Sequence, residues 1–468
     1  MSQHLTALLQ KSYDEVPYAS HPFPQSSPEH LEGIATLFGL APVPPANARV
    51  LELGCAAGGN VIPFALRHPE SHVVGLDLSS VQIAQGLERV RQLGITNLEL
   101  RQMNLEDVDN SLGSFDYIIC HGVFSWVPNS VQQAILRICR AHLAPHGIAY
   151  VSYNTYPGWK AREIVRDAML FRAEARATPD EKLVYARGMV DFLAQMSPDA
   201  SVLRKALDEV LPAIQSAGPT YLLHEFLEPC NQPMYFRDFV AAARGQQLDY
   251  LADAEPHTMF VSNHSAQVAE PLLKEAGNDQ VLMEQYLDFL TNRNFRHSLL
   301  IHAGEKPAVR YRLDAQCMER LHYAWTEDPQ TPAPPRRAAA SSAMAGLYAA
   351  LDAAFPATLS FAELCAAAPP PAVMACVEEL IITGRVRYTV RPVRCASAAQ
   401  AAAGQVMTQP AAALQLDFAC NIWHQPVHLN AAEHALLMSL QEGRQPPAEA
   451  HSAESLERLR RFGLLVQR

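Results

Sequence analysis

The chain predicts an α/β fold built on a doubly wound, mostly parallel sheet, and three observations predict it. Short apolar runs at 50–53, 72–77, 98–103, 115–120 and 147–153 have the length of buried strands. Helical patterns separate them, so strands and helices alternate as in a βαβ series. The first run, Val50-Leu51-Glu52-Leu53, opens into Gly54-Cys55-Ala56-Ala57-Gly58-Gly59-Asn60, small residues that let a ligand approach the backbone. A helix over 61–67 follows, which puts backbone N–H groups and a helix N-terminus at the crevice where open α/β sheets bind ligands.

The next elements follow from punctuation and pattern. Ser79 or Ser80 caps a helix over 81–93 that Gly94 ends, and Asn129 or Ser130 starts another that stops near Leu143, ahead of Pro145 and Gly147. The second strand ends at Asp77, one βαβ step past the loop, where a carboxylate can accept ribose hydroxyls. The third runs into Asn104-Leu105, where a polar side chain can meet an adenine amino group and a backbone N–H a ring nitrogen.

Two cofactor classes use such a crevice. Gly54, Ala56 and Gly59 fit a loose dinucleotide fingerprint, whereas Gly54, Ala56 and Gly58 after Glu52 fit acid-x-Gly-x-Gly-x-Gly with one Gly changed to Ala. The second pattern belongs to S-adenosylmethionine (SAM) methyltransferases. A nicotinamide site shares the acid at Asp77 but does not lead one to expect Asn104-Leu105. No Gly-x-x-x-x-Gly-Lys-Ser/Thr is present, so a nucleoside triphosphate cradle is not expected.

The fourth strand runs into His121-Gly122-Val123-Phe124-Ser125-Trp126-Val127-Pro128 and the fifth into Asn154-Thr155-Tyr156-Pro157-Gly158-Trp159. In order and spacing the whole set resembles a class I SAM-dependent methyltransferase with a Rossmann-like sheet. More narrowly, three stretches are similar to those of bacterial methyltransferases that carry a methyltransferase regulatory domain: Ser12-Tyr13-Asp14-Glu15-Val16-Pro17-Tyr18, Ser125-Trp126-Val127-Pro128 and Tyr153-Asn154-Thr155-Tyr156-Pro157-Gly158-Trp159. That group includes rickettsial protein-lysine methyltransferases acting on an outer-membrane protein. The resemblance covers most of the chain up to residue 300 and weakens beyond it.

It implies SAM as cofactor and S-adenosylhomocysteine as product. The methionine end would lie against Gly54, Cys55, Ala56 and Gly58, the ribose on Asp77, and the adenine between Leu78, Asn104 and Leu105. Glu52 would brace the loop or reach the methionine ammonium through water. His121 sits beside the adenine, more as a packing or hydrogen-bonding group than as a base, and Tyr13 or Tyr18 would close over the cofactor.

At 468 residues the chain has room for about three domains, and with 49% hydrophobic and 18% charged residues its composition is that of an ordinary globular protein. No run of eighteen apolar residues occurs and the N-terminus lacks a basic-then-apolar signal, so a cytoplasmic protein without a membrane partner is expected. Nine scattered cysteines with no Cys-x-x-Cys pair and no histidine cluster at ligand spacing read as small buried apolar residues, with no metal site. A net charge of −11 disfavours polyanions, so nucleic acid is not an expected partner, while a basic, lysine-presenting protein is.

Residues 1–46 are too proline-rich for a long helix and too aromatic for a disordered tail, and are read as a lid. The SAM-binding core is assigned to 47–159, a helical insertion to 160–216, and a regulatory or substrate region completing the sheet, with strands at 248–254 and 296–303, to 217–305. A linker is placed at 306–342, proline- and alanine-rich from Pro329 onward. In 343–468, helices followed by Gly384 or Gly463 and a strand suggest two winged-helix-like α+β units around the loop 396–413, with Arg385, Arg387, Arg391 and Arg394 as a local basic cluster. An interaction or homodimerisation module is the plainer reading, because the helix before that cluster carries Glu378 and Glu379 and no Lys or Arg to enter a groove.

The fourth strand ends Cys120-His121-Gly122-Val123, which is neither the Asn/Asp-Pro-Pro-Tyr/Phe of base amino-methylation nor the Pro-Cys setting of a cytosine nucleophile. Aromatic residues gather instead after the fourth and fifth strands, and Trp126, Tyr153, Asn154 and Trp159 are taken as the acceptor site. Aromatic faces stabilise the cation that forms when an amine is methylated. A lysine acceptor must first lose a proton, at roughly 4 to 5 kcal/mol at pH 7, which burial or an acceptor such as Tyr153 would offset. The expected function is therefore lysine N-methylation of a protein by in-line transfer. Small-molecule N- or O-methylation and a SAM-binding sensor without turnover remain open at this point.

Overall fold

A computed structural model of the chain describes residues 10–18, 20–216, 218–329, 342–397, 400, 406–408, 418–442 and 453–467. The first nine residues of the lid, the spacer at 330–341 and most of the loop 396–413 lie outside the described residues.

Seven strands form the central sheet: β1 (Arg49–Leu53), β2 (His72–Asp77), β3 (Leu98–Gln102), β4 (Phe115–Cys120), β5 (Leu143–Asn154), β6 (Leu248–Asp253) and β7 (Phe295–His302). Their order is β3-β2-β1-β4-β5-β7-β6. The first five pair in parallel, and β7 runs antiparallel between β5 and β6. β1, β2 and β4 are buried along nearly their whole length, which is why they read as continuous apolar runs rather than alternating ones. The chain leaves β1 toward β2 and β3 on one side and resumes at β4 on the other. Ligands bind at such a switch point, outside the carboxyl ends of the strands. A dinucleotide-binding sheet has the order 3-2-1-4-5-6, so the antiparallel β7 removes the nicotinamide alternative.

Four helices, Trp159–Ala173, Pro179–Met196, Val202–Ser216 and Pro219–Phe226, stand between β5 and β6 in sequence. They pack on a core of their own that includes Val165, Met169, Val190, Leu207, Val210, Leu222 and Phe226. Thr178 and Glu181 close a reciprocal capping box at the start of the second helix. Beyond β6, the helix Gln280–Thr291 is tied to β7 by a buried guanidinium: Arg296 donates to Asp288 (2.7 and 2.8 Å) and Glu284 (2.9 Å).

The C-terminal third is less separate than its sequence suggests. The stretch 306–342, expected as a linker, carries the helix Ala315–Glu319 and a strand, β8 (His322–Trp325). β8 is the middle strand of a three-stranded sheet with β9 (Leu359–Ser360) and β10 (Val386–Thr389). Only four residues long, it gives no periodicity that a sequence reading can register. The helices Ser342–Ala354, Phe361–Leu364 and Pro370–Ile382 complete this unit. Leu347, Val373, Leu380 and Val386 belong to the same continuous core as the strands of the main sheet. A second unit, with β11 (Val406–Thr408) paired to β12 (Leu465–Gln467) and helices Ala431–Gln441 and Ala453–Arg461, has its own core around Leu436, Leu459 and Leu464.

Three arginines of the basic cluster are engaged in packing and pairing. Arg385 lies over Trp325 and Tyr348, Arg387 over Trp423, and Arg391 is paired with Glu32 (3.0 Å).

Candidate active site

Helix-to-strand alternation brings the tips of β1, β2 and β3 to one edge, and a cavity of about 390 Å³ opens there. Glu52, Gly54, Cys55, Ala56, Asp77, Leu78, Asn104, Leu105 and His121 all line it, as do Tyr18, Trp126, Asn154 and Trp159. Gly54 has φ +77°, and a Cβ there would come 2.3 Å from Val123, so the turn requires glycine. Ala56, where the family pattern has glycine, also takes a left-handed φ of 49°.

The loop is held by acids at both ends. Asp77 accepts from the Ala56 N–H (2.7 Å) through one oxygen and from the Ser79 N–H (2.8 Å) through the other, and burial raises its pKa. Glu52 is buried and accepts from Asn60 Nδ2 (2.7 Å). Its second oxygen has no partner among the described residues, and burial pushes the carboxyl up to about 8. A buried carboxylate oxygen left unpaired beside a cavity suits an ammonium group. The residues therefore fit SAM, whose methionine ammonium the open Glu52 oxygen would take.

Asn60 is the hub of this end. Its Oδ1 accepts from the Phe23 N–H (2.9 Å) and from His424 Nε2 (2.9 Å). Arg67 Nη2 donates to His424 Nδ1 (2.7 Å), which fixes the tautomer, since arginine can only donate. Burial depresses the His424 pKa to about 3, so the ring is neutral. A residue of the C-terminal region thus supports the loop from behind.

The N-terminal segment crosses the cavity and is tied down on both sides. Gly59 N–H donates to Ser20 Oγ (2.7 Å) and Ser79 Oγ to Asp14 (2.6 Å) on the sheet side. On the other side Ser12 Oγ donates to Glu228 (2.9 Å), His224 Nε2 meets the Val16 carbonyl (2.9 Å), and Tyr13 stacks on the His224 ring.

The acceptor side of the cavity holds Trp126 and Trp159, edge to face with ring centroids 6.0 Å apart, and Asn154, whose amide donates to Asn231 (2.9 Å). Tyr153 is not there. Neighbouring residues of β5 face opposite sides of the sheet, so Tyr153 stacks on Phe239 and bonds Ser298 (3.0 Å) away from the cavity. Burial raises its pKa far out of reach of proton acceptance. Gly58 does not line the cavity either, and serves the turn at φ +78°. His121 is bonded to the Tyr150 hydroxyl (2.7 Å) and packs on Phe23. Burial holds its pKa well below the usual histidine range, which leaves it a neutral packing group.

Sequence reading missed Ser20, Asn60, Arg162, His224, Glu225, Asn294 and Phe295, all of which line the cavity. Among the described residues, Asp253, Glu255 and His297 bring ligand atoms within 4.8 Å of one another, but the Asp253 carboxylate is already bonded by Arg293 (2.9 Å).

A sheet of this order, with adenosyl-type acids at its tips and β7 reversed, defines a class I methyltransferase fold. Residues 50–147 match a methyltransferase domain and residues 218–302 the predicted methyltransferase regulatory domain. RP789 of Rickettsia prowazekii, an uncharacterized protein, is 44% identical over 295 residues, 62% of this chain, which spans 52% of that protein's length. RP028 of the same organism, also uncharacterized, is 39% identical over 238 residues, 50% of this chain and 94% of that one. The solved structure of PKMT2 from Rickettsia typhi in complex with AdoHcy superposes with a TM-score of 0.82 at 25% identity, covering 96% of this chain and 100% of that one. The chain belongs to the class I SAM-dependent methyltransferases that carry a methyltransferase regulatory domain.

Proposed function

We propose that this protein binds SAM and transfers its methyl group to lysine side chains of a protein substrate. The observation that carries the reading is that one cavity joins the Glu52, Asp77 and Asn104 strand tips to the Trp126 and Trp159 wall. Bound SAM supplies an electrophilic methyl on a sulfonium, so the chain's own work is positioning and electrostatics. Glu52, braced by Asn60, would neutralise the methionine ammonium, and Asp77 would hold both the loop and the ribose. The two indoles present a water-poor aromatic surface to the amine and favour the cation that forms on it. The N-terminal segment, tied across the opening, excludes water. The match to PKMT2 and the family's Tyr-Asn-Thr-Tyr-Pro-Gly-Trp stretch support a protein amine over a small molecule.

The test is calorimetric titration with SAM, followed by incubation with methyl-labelled SAM and a bacterial protein extract. Tight binding with label on lysine is the expected outcome. Label confined to small molecules would overturn the protein-lysine reading, and binding without any labelled product would favour a sensor. Trp126→Ala is expected to lower kcat at least tenfold while changing SAM affinity little.

A further inference from the structure

Among the groups lining the acceptor half of the cavity, proton acceptors are scarce. His224 is committed on both nitrogens, to Glu228 (3.0 Å) and to the Val16 carbonyl (2.9 Å). Tyr153 faces the other side of the sheet, and Tyr156, outside the cavity, donates to Glu163 (2.6 Å). Glu52 and Asp77 serve the cofactor end. Glu225 remains. It lies on the helix Pro219–Phe226, within the segment that matches the regulatory domain, and it lines the cavity with a side chain 22% exposed.

Its surroundings suit the task. Among the described residues its carboxylate accepts no hydrogen bond, and its nearest ion-pair partner, Arg162 Nη1, is 3.9 Å away. The Arg162 guanidinium lies 5.8 Å from the Trp159 ring, so it links the carboxylate to the aromatic wall. The charged and titratable groups facing Glu225 are Arg162 and Arg166 from the helix Trp159–Ala173, Tyr18 from the N-terminal segment and Tyr221 from its own helix. Burial outweighs the two arginines and pushes the carboxyl up to about 7, the range in which a general base works best near neutral pH.

We propose that Glu225 is the catalytic base that deprotonates the amine acceptor, so that the regulatory domain supplies part of the chemistry rather than only control. The inference rests on the amine reading above. The carboxylate takes one proton from the substrate ammonium. The freed nitrogen lone pair forms the N–C bond to the methyl as the C–S bond breaks, and its electron pair stays on sulfur. The products are a methylated ammonium, a neutral thioether and a Glu225 carboxyl that returns its proton to solvent. A cationic acceptor is also the class that a carboxylate beside an aromatic wall would draw in.

The experiment compares wild type, Glu225→Gln and Glu225→Asp, using methyl-labelled SAM and a bacterial protein extract from pH 5.5 to 9.5, with SAM affinity measured in parallel. The wild-type rate is expected to rise with pH and level off above about 7. Glu225→Gln should lose at least a hundredfold at pH 7 and rise about tenfold per pH unit with no plateau, at unchanged SAM affinity. Glu225→Asp should recover part of the rate and restore a plateau. A Glu225→Gln enzyme that keeps the wild-type plateau, or one whose loss follows weakened SAM binding, would overturn the assignment of the base. A wild-type enzyme that labels no amine would instead overturn the lysine reading beneath it.

Discussion

His424 gives the sharpest test of how the cofactor end is built. Replacing it with alanine deletes the donor to Asn60 Oδ1 and the acceptor of Arg67 Nη2, both at buried positions. Asn60 Oδ1 keeps the Phe23 N–H, while Arg67 Nη2 is left without its acceptor at a cost of about 1–3 kcal/mol, so His424→Ala should lower stability by about that amount. Only the share that loosens Asn60 reaches the ligand. With one of its anchors gone, Asn60 braces Glu52 less firmly, and a penalty of about 1 kcal/mol weakens SAM binding roughly fivefold. Calorimetry with SAM reads the affinity, and thermal melting reads the stability. His424→Gln, which retains one donor and one acceptor, should recover most of the affinity. If His424→Ala melts earlier yet binds SAM as wild type does, the Asn60 bridge does not reach the cofactor and the reasoning fails.

The remaining predictions follow from the same geometry. Because burial holds Glu52 up at about 8, the empty site is largely protonated there at pH 7, and an arriving ammonium favours the carboxylate. SAM binding should therefore release a fraction of a proton and tighten as pH rises from about 6 to 8. Titrations in buffers of different ionisation heat check this, and Glu52→Gln should abolish the release and weaken binding at least tenfold. Ala56→Gly relieves a left-handed alanine and should raise stability by about 0.5–1 kcal/mol, visible in denaturant melts. Arg296→Met strands Asp288 and Glu284 as buried charges and should cost about 3–5 kcal/mol in the same assay.

The strand tips were legible because parallel strands buried on both faces leave uninterrupted apolar runs that stop where the ligand begins. Glu52, Asp77 and Asn104 could be located from that alone. Facing was not legible in the same way: β5 is buried throughout from Gly147 to Asn154, so no polar alternation tells that Asn154 rather than Tyr153 turns toward the cavity. Contacts from remote segments were invisible for a different reason. Asn60 looks like the tail of a glycine-rich loop, and only folding brings His424, 364 residues later, against it. Glu225 is one acid among the many on amphipathic helices, and what distinguishes it is burial beside an aromatic wall.

The core shared between the main sheet and the β8–β10 unit governs how this protein can be dissected. Gly33, on the helix Pro28–Leu37, lies so close to Tyr388 of β10 that an added Cβ would sit 2.9 Å from its carbonyl oxygen. Severing the chain after β7 would strip one wall from the methyltransferase interior and bare Leu31, Ile34 and Phe38, residues now wholly shielded. Deletion would then report on misfolding rather than on what the C-terminal units do. Single-residue changes at their seam are the informative instrument.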